Sequence, residues 1–192
     1  MAPAFDPATV NRRAMASTRA RLASLAAVDL DRPSTCTGWD VRTLLAHLVG
    51  GNLRFAQALR GESADWDTRD QEPISSPLAQ FDASAAEMAA AIAGIDDAKR
   101  PVRLPAGEPS AVFAVGVHSA DMLIHGWDLA ITTDQDPTLD PDLCRAAAAV
   151  IEKYPSSFWG PGRFFATRID TASTDPQERL LALAGRDFHA HA

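Results

Sequence analysis

Apolar residues recur every three to four positions along most of the chain, which is the spacing of helices with one buried face. This pattern predicts helices over residues 7–27, from Asp40 to Leu59, over 77–94, from Ser110 to Thr132 and over 140–153, with a short closing helix within 175–187. Proline and glycine punctuate the segments between them, as they do in loops. The sequence therefore predicts an all-α fold, a helix bundle with four main helices.

Several local signals refine this outline. Asp40 is a plausible N-cap of the second helix and Gly61 its C-terminal stop. Val102–Leu104 is expected to form a short extended piece, and residues 154–170, "YPSSFWGPGRFFATRID", a loop or extended segment packed over the bundle. We therefore predict a single domain over residues 1–192, in which the extension from about 154 to 192 packs on the helices.

The composition argues against some binding partners and indicates the cellular compartment. The formal net charge is −7, and no Lys/Arg cluster offers the basic patch that a nucleic-acid surface needs. The sequence contains neither an apolar run of about 18 residues nor a signal-peptide pattern, so we expect a cytoplasmic protein without a membrane partner. Cys36 and Cys144 have no metal-site spacing and are expected to be reduced thiols that behave as small buried hydrophobes.

The fourth helix carries polar residues that its apolar character does not explain. In "VHSADMLIHGWDLA", residues 117–130, four ionisable side chains fall within an arc of about 80° at the helical repeat, namely His118, Asp121, His125 and Asp128. Apolar residues cover most of the remaining surface, which leaves little room for a solvated face. The polar stripe is therefore predicted to face an internal site.

The spacing within this stripe is compatible with a metal site. Asp121 and His125 are four residues apart, so their β-carbons lie about 5–6 Å from each other and both side chains can reach one cation. His47, in the apolar second helix beside Gly50 and Gly51, offers a third ligand, and the glycines leave space for a bound molecule or a close helix. Hydrogen-bonded core histidines, or an Asp–His pair that satisfies itself, would give the same pattern.

The other polar residues have two interpretations each. Asp128 either orients the imidazole of His125 or pairs with an arginine. His118 is either an acid–base group of the pocket or a packed polar residue, whereas His189 and His191 are expected to belong to a flexible tail.

Three separated segments resemble one family. They are "STCTGWDVRTLLAHLVGGN", "ADMLIHGWDLA" and "ERLLALAGRD", and they are similar to motifs of the DinB-like superfamily, in particular its actinobacterial branch related to the mycothiol-dependent maleylpyruvate isomerase metal-binding domain. The resemblance implies an up-down-down-up four-helix bundle that holds a divalent metal, often zinc or nickel. It assigns the ligand roles to His47, Asp121 and His125, although relatives often have Glu or His where Asp121 stands.

The leading hypothesis combines this resemblance with the chemistry of an open site. Three protein ligands leave a coordination position for water or substrate, which is typical of catalytic metals. We expect a metal-dependent enzyme that activates a small thiol, with mycothiol as the expected co-substrate, for transfer to or isomerisation of an electrophilic small molecule, with His118 as a proton shuttle. The 60 residues after Thr132 are too few for a full version of the isomerases' additional domain, so maleylpyruvate isomerase activity itself is not predicted.

Three alternatives stay open. A two-histidine, one-carboxylate set also occurs in non-haem iron oxygenases, whose ligands usually lie on a β-barrel. A non-catalytic metal- or ligand-binding bundle, including a homodimer, fits the same residues. So does a bundle whose metal site has decayed, in which Asp121 would pair directly with a histidine.

Overall fold

The computed structural model describes residues 6–66, 74–105, 107–160 and 165–188. Six α-helices account for most of them: α1 Pro7–Ala23, α2 Val41–Arg60, α3 Pro77–Ala93, α4 Ala111–Thr132, α5 Pro141–Ile151 and α6 Pro176–Leu183. Over these described ranges the remaining regular structure consists of two short 3-10 helices and isolated β-bridges, so the all-α prediction is confirmed. Among the same residues, no helix combines the length and apolarity needed to cross a membrane.

The helices that carry the candidate ligands begin and end at sequence signals. The Asp40 carboxylate accepts a hydrogen bond of 2.7 Å from the Thr43 amide and caps α2. Gly61 ends that helix with φ of 80°, a left-handed conformation that glycine adopts without strain. Ser110 caps α4 through the amide of Phe113. The predicted bounds of both helices are confirmed.

The first helix is shorter than predicted. It ends at Ala23, because the amide of Ser24 closes a tighter turn on the carbonyls of Arg21 and Leu22. A separate 3-10 helix, Ala27–Asp31, follows, and the carboxylate of Asp29 accepts a hydrogen bond from the Ala26 amide at its start. The prediction of one helix through residue 27 was therefore wrong, since apolar periodicity does not register such a local side-chain cap.

Helices α1 and α4 run parallel and approach closely. Asn11 contacts Ser119, and seven residues later Thr18 donates a 2.7 Å hydrogen bond to the carbonyl of Met122, so contacts advance in the same direction on both helices. A β-carbon added at Gly126 would lie 2.7 Å from the Thr18 hydroxyl. The glycine therefore permits this close approach.

Helices α2 and α3 are also parallel to each other. The Asn52 amide donates to the Ser84 hydroxyl at 2.9 Å, and further along both helices Arg60 bonds Glu87 at 2.6 Å. The contacts again advance together along the two chains.

Helix α2 is antiparallel to α4. His47, early in α2, lies against Asp121, whereas Asn52, later in α2, bonds His118, which precedes Asp121 in α4. Together with the two parallel pairs, this gives the up-down-down-up order that the family resemblance implies.

The segments after α4 pack back on the bundle. Helix α5 lies between α4 and α6, and Gly116 makes room for the contact, since a β-carbon there would lie 2.8 Å from Val150. The aromatic segment contributes Tyr154, Phe158, Trp159 and Phe165 to the edge of the main core. The extension therefore brings α6 close to the bundle.

Candidate metal centre

The three predicted ligands meet between α2 and α4. The Nε2 atom of His47 lies 3.4 Å from one carboxylate oxygen of Asp121, and Nε2 of His125 lies 3.5 Å from the other. One donor atom from each of the three residues falls within 4.8 Å of the others, and the two imidazoles meet edge to face at 4.8 Å between ring centroids. The structure thus brings together side chains from positions 47, 121 and 125.

The spacing of these atoms suits a bound cation better than direct hydrogen bonds. A charge-assisted N–H···O bond spans about 2.7–2.9 Å, shorter than the 3.4 and 3.5 Å found here. Two ligands held about 2.0–2.2 Å from one tetrahedral ion lie about 3.4 Å apart. Two imidazoles and one carboxylate are also a donor set that zinc accepts. The residues present therefore fit a divalent metal.

The three side chains of the centre are partly exposed. His47 and Asp121 keep 24% and 20% of their side-chain surface exposed, and His125 keeps 11%. The donor atom Nε2 of His47 is itself buried, so the exposed surface belongs to other parts of these side chains.

Asp128 orients the imidazole of His125. Nδ1 of His125 donates a 2.8 Å hydrogen bond to Asp128, whose side chain is completely buried. That bond fixes the tautomer and leaves the lone pair of Nε2 on the side of Asp121. A carboxylate behind a ligating histidine is the usual support of a metal ligand.

Asp128 also pairs with an arginine, so both roles predicted for it are present. The guanidinium of Arg186 bonds its two oxygens at 2.8 and 3.3 Å, and the Thr35 hydroxyl donates a further bond of 2.6 Å. Burial would raise the pKa of Asp128, but Arg186 and the hydrogen bond from His125 outweigh it and hold that pKa well below its usual range. Arg186 was not among the residues predicted from the sequence, although a lone arginine after the apolar "LLALAG" was a usable signal.

Cys36 differs from the sequence prediction. Its thiol is only partly buried and donates to Asp128 at 3.4 Å, so it is a polar contact of the site rather than a simple hydrophobe; Cys144 is buried as predicted. Burial and the charge of Asp128 raise the pKa of Cys36 to about 12, which keeps it a protonated donor. Cys36, His125 and Asp128 form a second group with metal-like spacing. A cation there would face the guanidinium of Arg186, which disfavours it.

Trp39 forms an aromatic wall beside the ligands. Its ring lies 5.0 Å from the His47 ring and stacks on His125 at 6.0 Å between centroids. The residue stands immediately before the N-cap of α2, and this position turns its ring towards the end of the helix that carries His47. Sequence analysis did not assign it a role, because a single Trp before a helix is usually a packing residue.

Asp121 carries a negative charge at neutral pH. Burial would raise its pKa, but His47 and His125 lower it more, so the pKa of Asp121 lies well below its usual range. A carboxylate must be ionised to ligate a metal, so Asp121 is in the state that a ligand requires.

The glycines beside His47 only partly leave space. A β-carbon at Gly51 would meet no described atom within 4 Å, whereas one at Gly50 would lie 2.9 Å from the guanidinium of Arg54. The room that sequence analysis predicted is therefore present at Gly51, and at Gly50 it is used by an arginine side chain.

A comparison with known protein families identifies the bundle. Residues 11–130 match the model of the mycothiol maleylpyruvate isomerase N-terminal domain. The chain belongs to this family. The match covers most of α1 and α4 and all of α2 and α3, and thus all three candidate ligands, whereas Arg186 lies outside it.

Relatives and solved structures agree with this family. Two uncharacterized proteins of Mycobacterium tuberculosis, from the Oshkosh and H37Rv strains, are each 34% identical over 189 residues, which is 95% of this chain and 98% of theirs. Crystal structures of the mycothiol-dependent maleylpyruvate isomerase and of a point mutant superpose with TM-scores of 0.63 and 0.62 at 17% and 13% identity. They cover 76% of this chain but 68% and 66% of the enzyme chains, so about a third of each enzyme lies outside the match. At these identities the likeness shows the fold.

His118 lies in a buried polar layer that crosses the four helices of this family's bundle. This group, called the polar layer below, consists of Asn11 of α1, Asn52 of α2, Ser84 of α3, and His118 and Ser119 of α4. Nδ1 of His118 accepts from Asn11 at 2.8 Å and Nε2 donates to Asn52 at 2.8 Å. Asn52 in turn donates to Ser84, and Asn11 to Ser119.

These contacts support a packed polar role for His118. The residue has no exposed surface, and both of its ring nitrogens are engaged by amides. Burial lowers its pKa to about 4, with Asp121 opposing and His47 adding to the effect, so the imidazole is neutral at physiological pH. Its role as a proton shuttle stays a prediction. His189 and His191 lie outside the described residues.

Proposed function

We propose that this protein is a metal-dependent enzyme that activates a low-molecular-weight thiol, mycothiol, for transfer to an electrophilic small molecule or for isomerisation of one. The observation that carries the proposal is the convergence of two imidazoles and one carboxylate at ligand spacing between two helices of the bundle. Membership of the family and the fold shared with a mycothiol-dependent isomerase support the choice of thiol.

Some residues of the site would bind the ion, and others would orient or surround those ligands. His47, Asp121 and His125 would hold the cation, with zinc or nickel as the expected metals. A divalent ion at such a site supplies Lewis acidity, which lowers the pKa of a nearby thiol. Asp128 keeps His125 in the tautomer that can ligate, and Trp39 limits water on one side.

The partners follow from the same site. Three protein ligands leave room for a small thiol and an electrophile. The electrophile of this chain is not carried over from the solved enzymes, because a third of their length has no counterpart in the match. A homodimer and the absence of a nucleic-acid partner stay predictions.

Metal analysis paired with a thiol-transfer assay tests the proposal. Untagged protein, Asp121→Ala and the control Asp82→Ala would be loaded with zinc or nickel, desalted and measured by plasma mass spectrometry. Asp82 is a surface carboxylate that pairs with Arg19, so its loss should leave the site intact. We expect stoichiometric metal in the wild type and the control, and a large loss in Asp121→Ala.

Activity then separates the alternatives. The loaded protein would be given mycothiol with maleylpyruvate, or with a chromogenic haloaromatic electrophile. Metal-dependent consumption of the thiol or isomerisation of the substrate supports the proposed enzyme. Stoichiometric binding without turnover of either substrate would indicate a non-catalytic metal-binding bundle, and wild-type protein that retains no metal would indicate a decayed site.

A further inference from the structure

We infer that Arg186 is a positioning residue of the metal centre, which acts by holding Asp128 in the orientation that aligns His125. The C-terminal segment would then complete a site whose ligands all come from the bundle. The inference rests on the metal binding in the proposed function, and it concerns a residue outside the part of the chain that matches the family.

The contact between Arg186 and Asp128 is a two-point one. Nη2 and Nε of Arg186 bond separate carboxylate oxygens at 2.8 and 3.3 Å. The planar guanidinium matches the plane of a carboxylate, so two such bonds fix the rotation of the Asp128 side chain as well as its position. The same carboxylate accepts the Nδ1 proton of His125, so its rotation determines how that imidazole is held.

Arg186 is itself firmly placed. Its amide donates to the carbonyl of Leu181 at 2.8 Å, and Nη1 donates to the carbonyl of Ala184 at 2.8 Å. Gly185 precedes it with φ of 73°, and a β-carbon there would lie 2.6 Å from Ala166. The turn after α6 is therefore tight against the extended segment, and it directs Arg186 inwards rather than to solvent.

The burial of Asp128 makes this countercharge necessary. A completely buried carboxylate is costly unless it is paired and fully hydrogen-bonded. His125, Thr35 and Cys36 supply one bond each, but none of them brings a permanent positive charge. Without Arg186, the carboxylate of Asp128 would lose two donors and would be free to rotate. The imidazole of His125, which bonds that carboxylate, would then lose its alignment.

Metal affinity and the spectrum of a bound probe ion test the inference independently of turnover. Zinc dissociation constants would be measured by competition with a chromophoric chelator for the wild type, Arg186→Met, Asp128→Asn and the double variant. Loss of a supporting residue behind a metal ligand typically weakens affinity about 10–100-fold, and we expect Arg186→Met within that range. Because Arg186 acts through Asp128, the double variant should bind no more weakly than Asp128→Asn alone.

A second buried arginine provides the matched control. Arg21 is buried in α1 and donates to the carbonyls of Ser17 and Thr138, away from the site. Arg21→Met should lower the free energy of unfolding but leave the zinc dissociation constant unchanged. The visible spectrum of bound Co(II) should change in Arg186→Met and not in Arg21→Met. If Arg186→Met does not fold, Arg186→Lys keeps the positive charge but loses the two-point contact with Asp128, and it should weaken zinc binding to a smaller degree.

The outcomes are distinct. An unchanged dissociation constant and Co(II) spectrum in folded Arg186→Met, or in Arg186→Lys where Arg186→Met does not fold, would overturn the role of Arg186 while the proposed function stands. Additive losses in the double variant would also overturn it, since they would mean that Arg186 acts by another route. Wild-type protein that binds neither zinc nor Co(II) would overturn the proposed function and this inference with it.

Discussion

His118 makes the stability of the fold depend on pH in a direction that the structure fixes. Burial among the amides of Asn11 and Asn52 lowers its pKa to about 4 from the ordinary 6.5. Between these values the unfolded chain binds a proton at this position and the folded chain does not. Stability therefore rises with pH across this window, is fully present above about pH 6.5 and is lost as the pH falls to about 4.

The size of the effect follows from the two pKa values. Each unit of difference between the folded and unfolded pKa values contributes about 1.36 kcal/mol. The difference between about 4 and 6.5 therefore corresponds to about 3 kcal/mol of unfolding free energy. That is a substantial part of the total for a domain of this size, which is typically about 5–15 kcal/mol.

Urea titrations of metal-free protein would measure this contribution. The wild type and His118→Gln would be unfolded in chelator at several pH values between about 4 and 7. All other ionisable groups are present in both proteins, so the difference in free energy between the two isolates His118. We expect this difference to grow with pH in favour of the wild type by about 3 kcal/mol. A difference that stays constant over the whole range would refute the argument.

Three further predictions concern packing, capping and the metal. Gly126→Ala should destabilise by about 1–3 kcal/mol in chemical denaturation, because its β-carbon would meet the Thr18 hydroxyl, whereas Gly51→Ala should be neutral or stabilising; equal losses would contradict this. Asp40→Ala should cost about 1 kcal/mol by removing the cap on the Thr43 amide, whereas Asp40→Ser should retain most of that stability. Zinc at about 100 times its dissociation constant should add about 2.7 kcal/mol to the unfolding free energy, and unchanged melting in calorimetry would argue against a site.

The sequence was sufficient to predict the helices that hold the ligands. Apolar periodicity and caps such as Asp40 act within a few residues, so they are legible along the chain. The placement of His47 against Asp121 and His125 was also within reach, since each stands on an inward helix face and the family resemblance supplied the pairing of α2 with α4.

The supporting contacts were not predictable in the same way. Asn11 and His118 are 107 residues apart, and Arg186 and Asp128 are 58 apart. Polar residues that hydrogen-bond to each other over such sequence distances produce no periodic pattern. Each one looks locally like a surface residue or part of a turn. The end of α1 was missed for a related reason, as the cap by Asp29 competes with the continued helix.

The polar layer has a consequence for how this scaffold can change. Its amides, hydroxyls and imidazole align all four helices by contacts that involve none of the three donors at positions 47, 121 and 125. We therefore expect the framework to form without a bound ion, so that a cation at the proposed site could be exchanged without refolding of the chain. Mutation can likewise alter the donors, for example by lengthening the carboxylate at position 121, and so shift metal preference while the architecture is inherited intact.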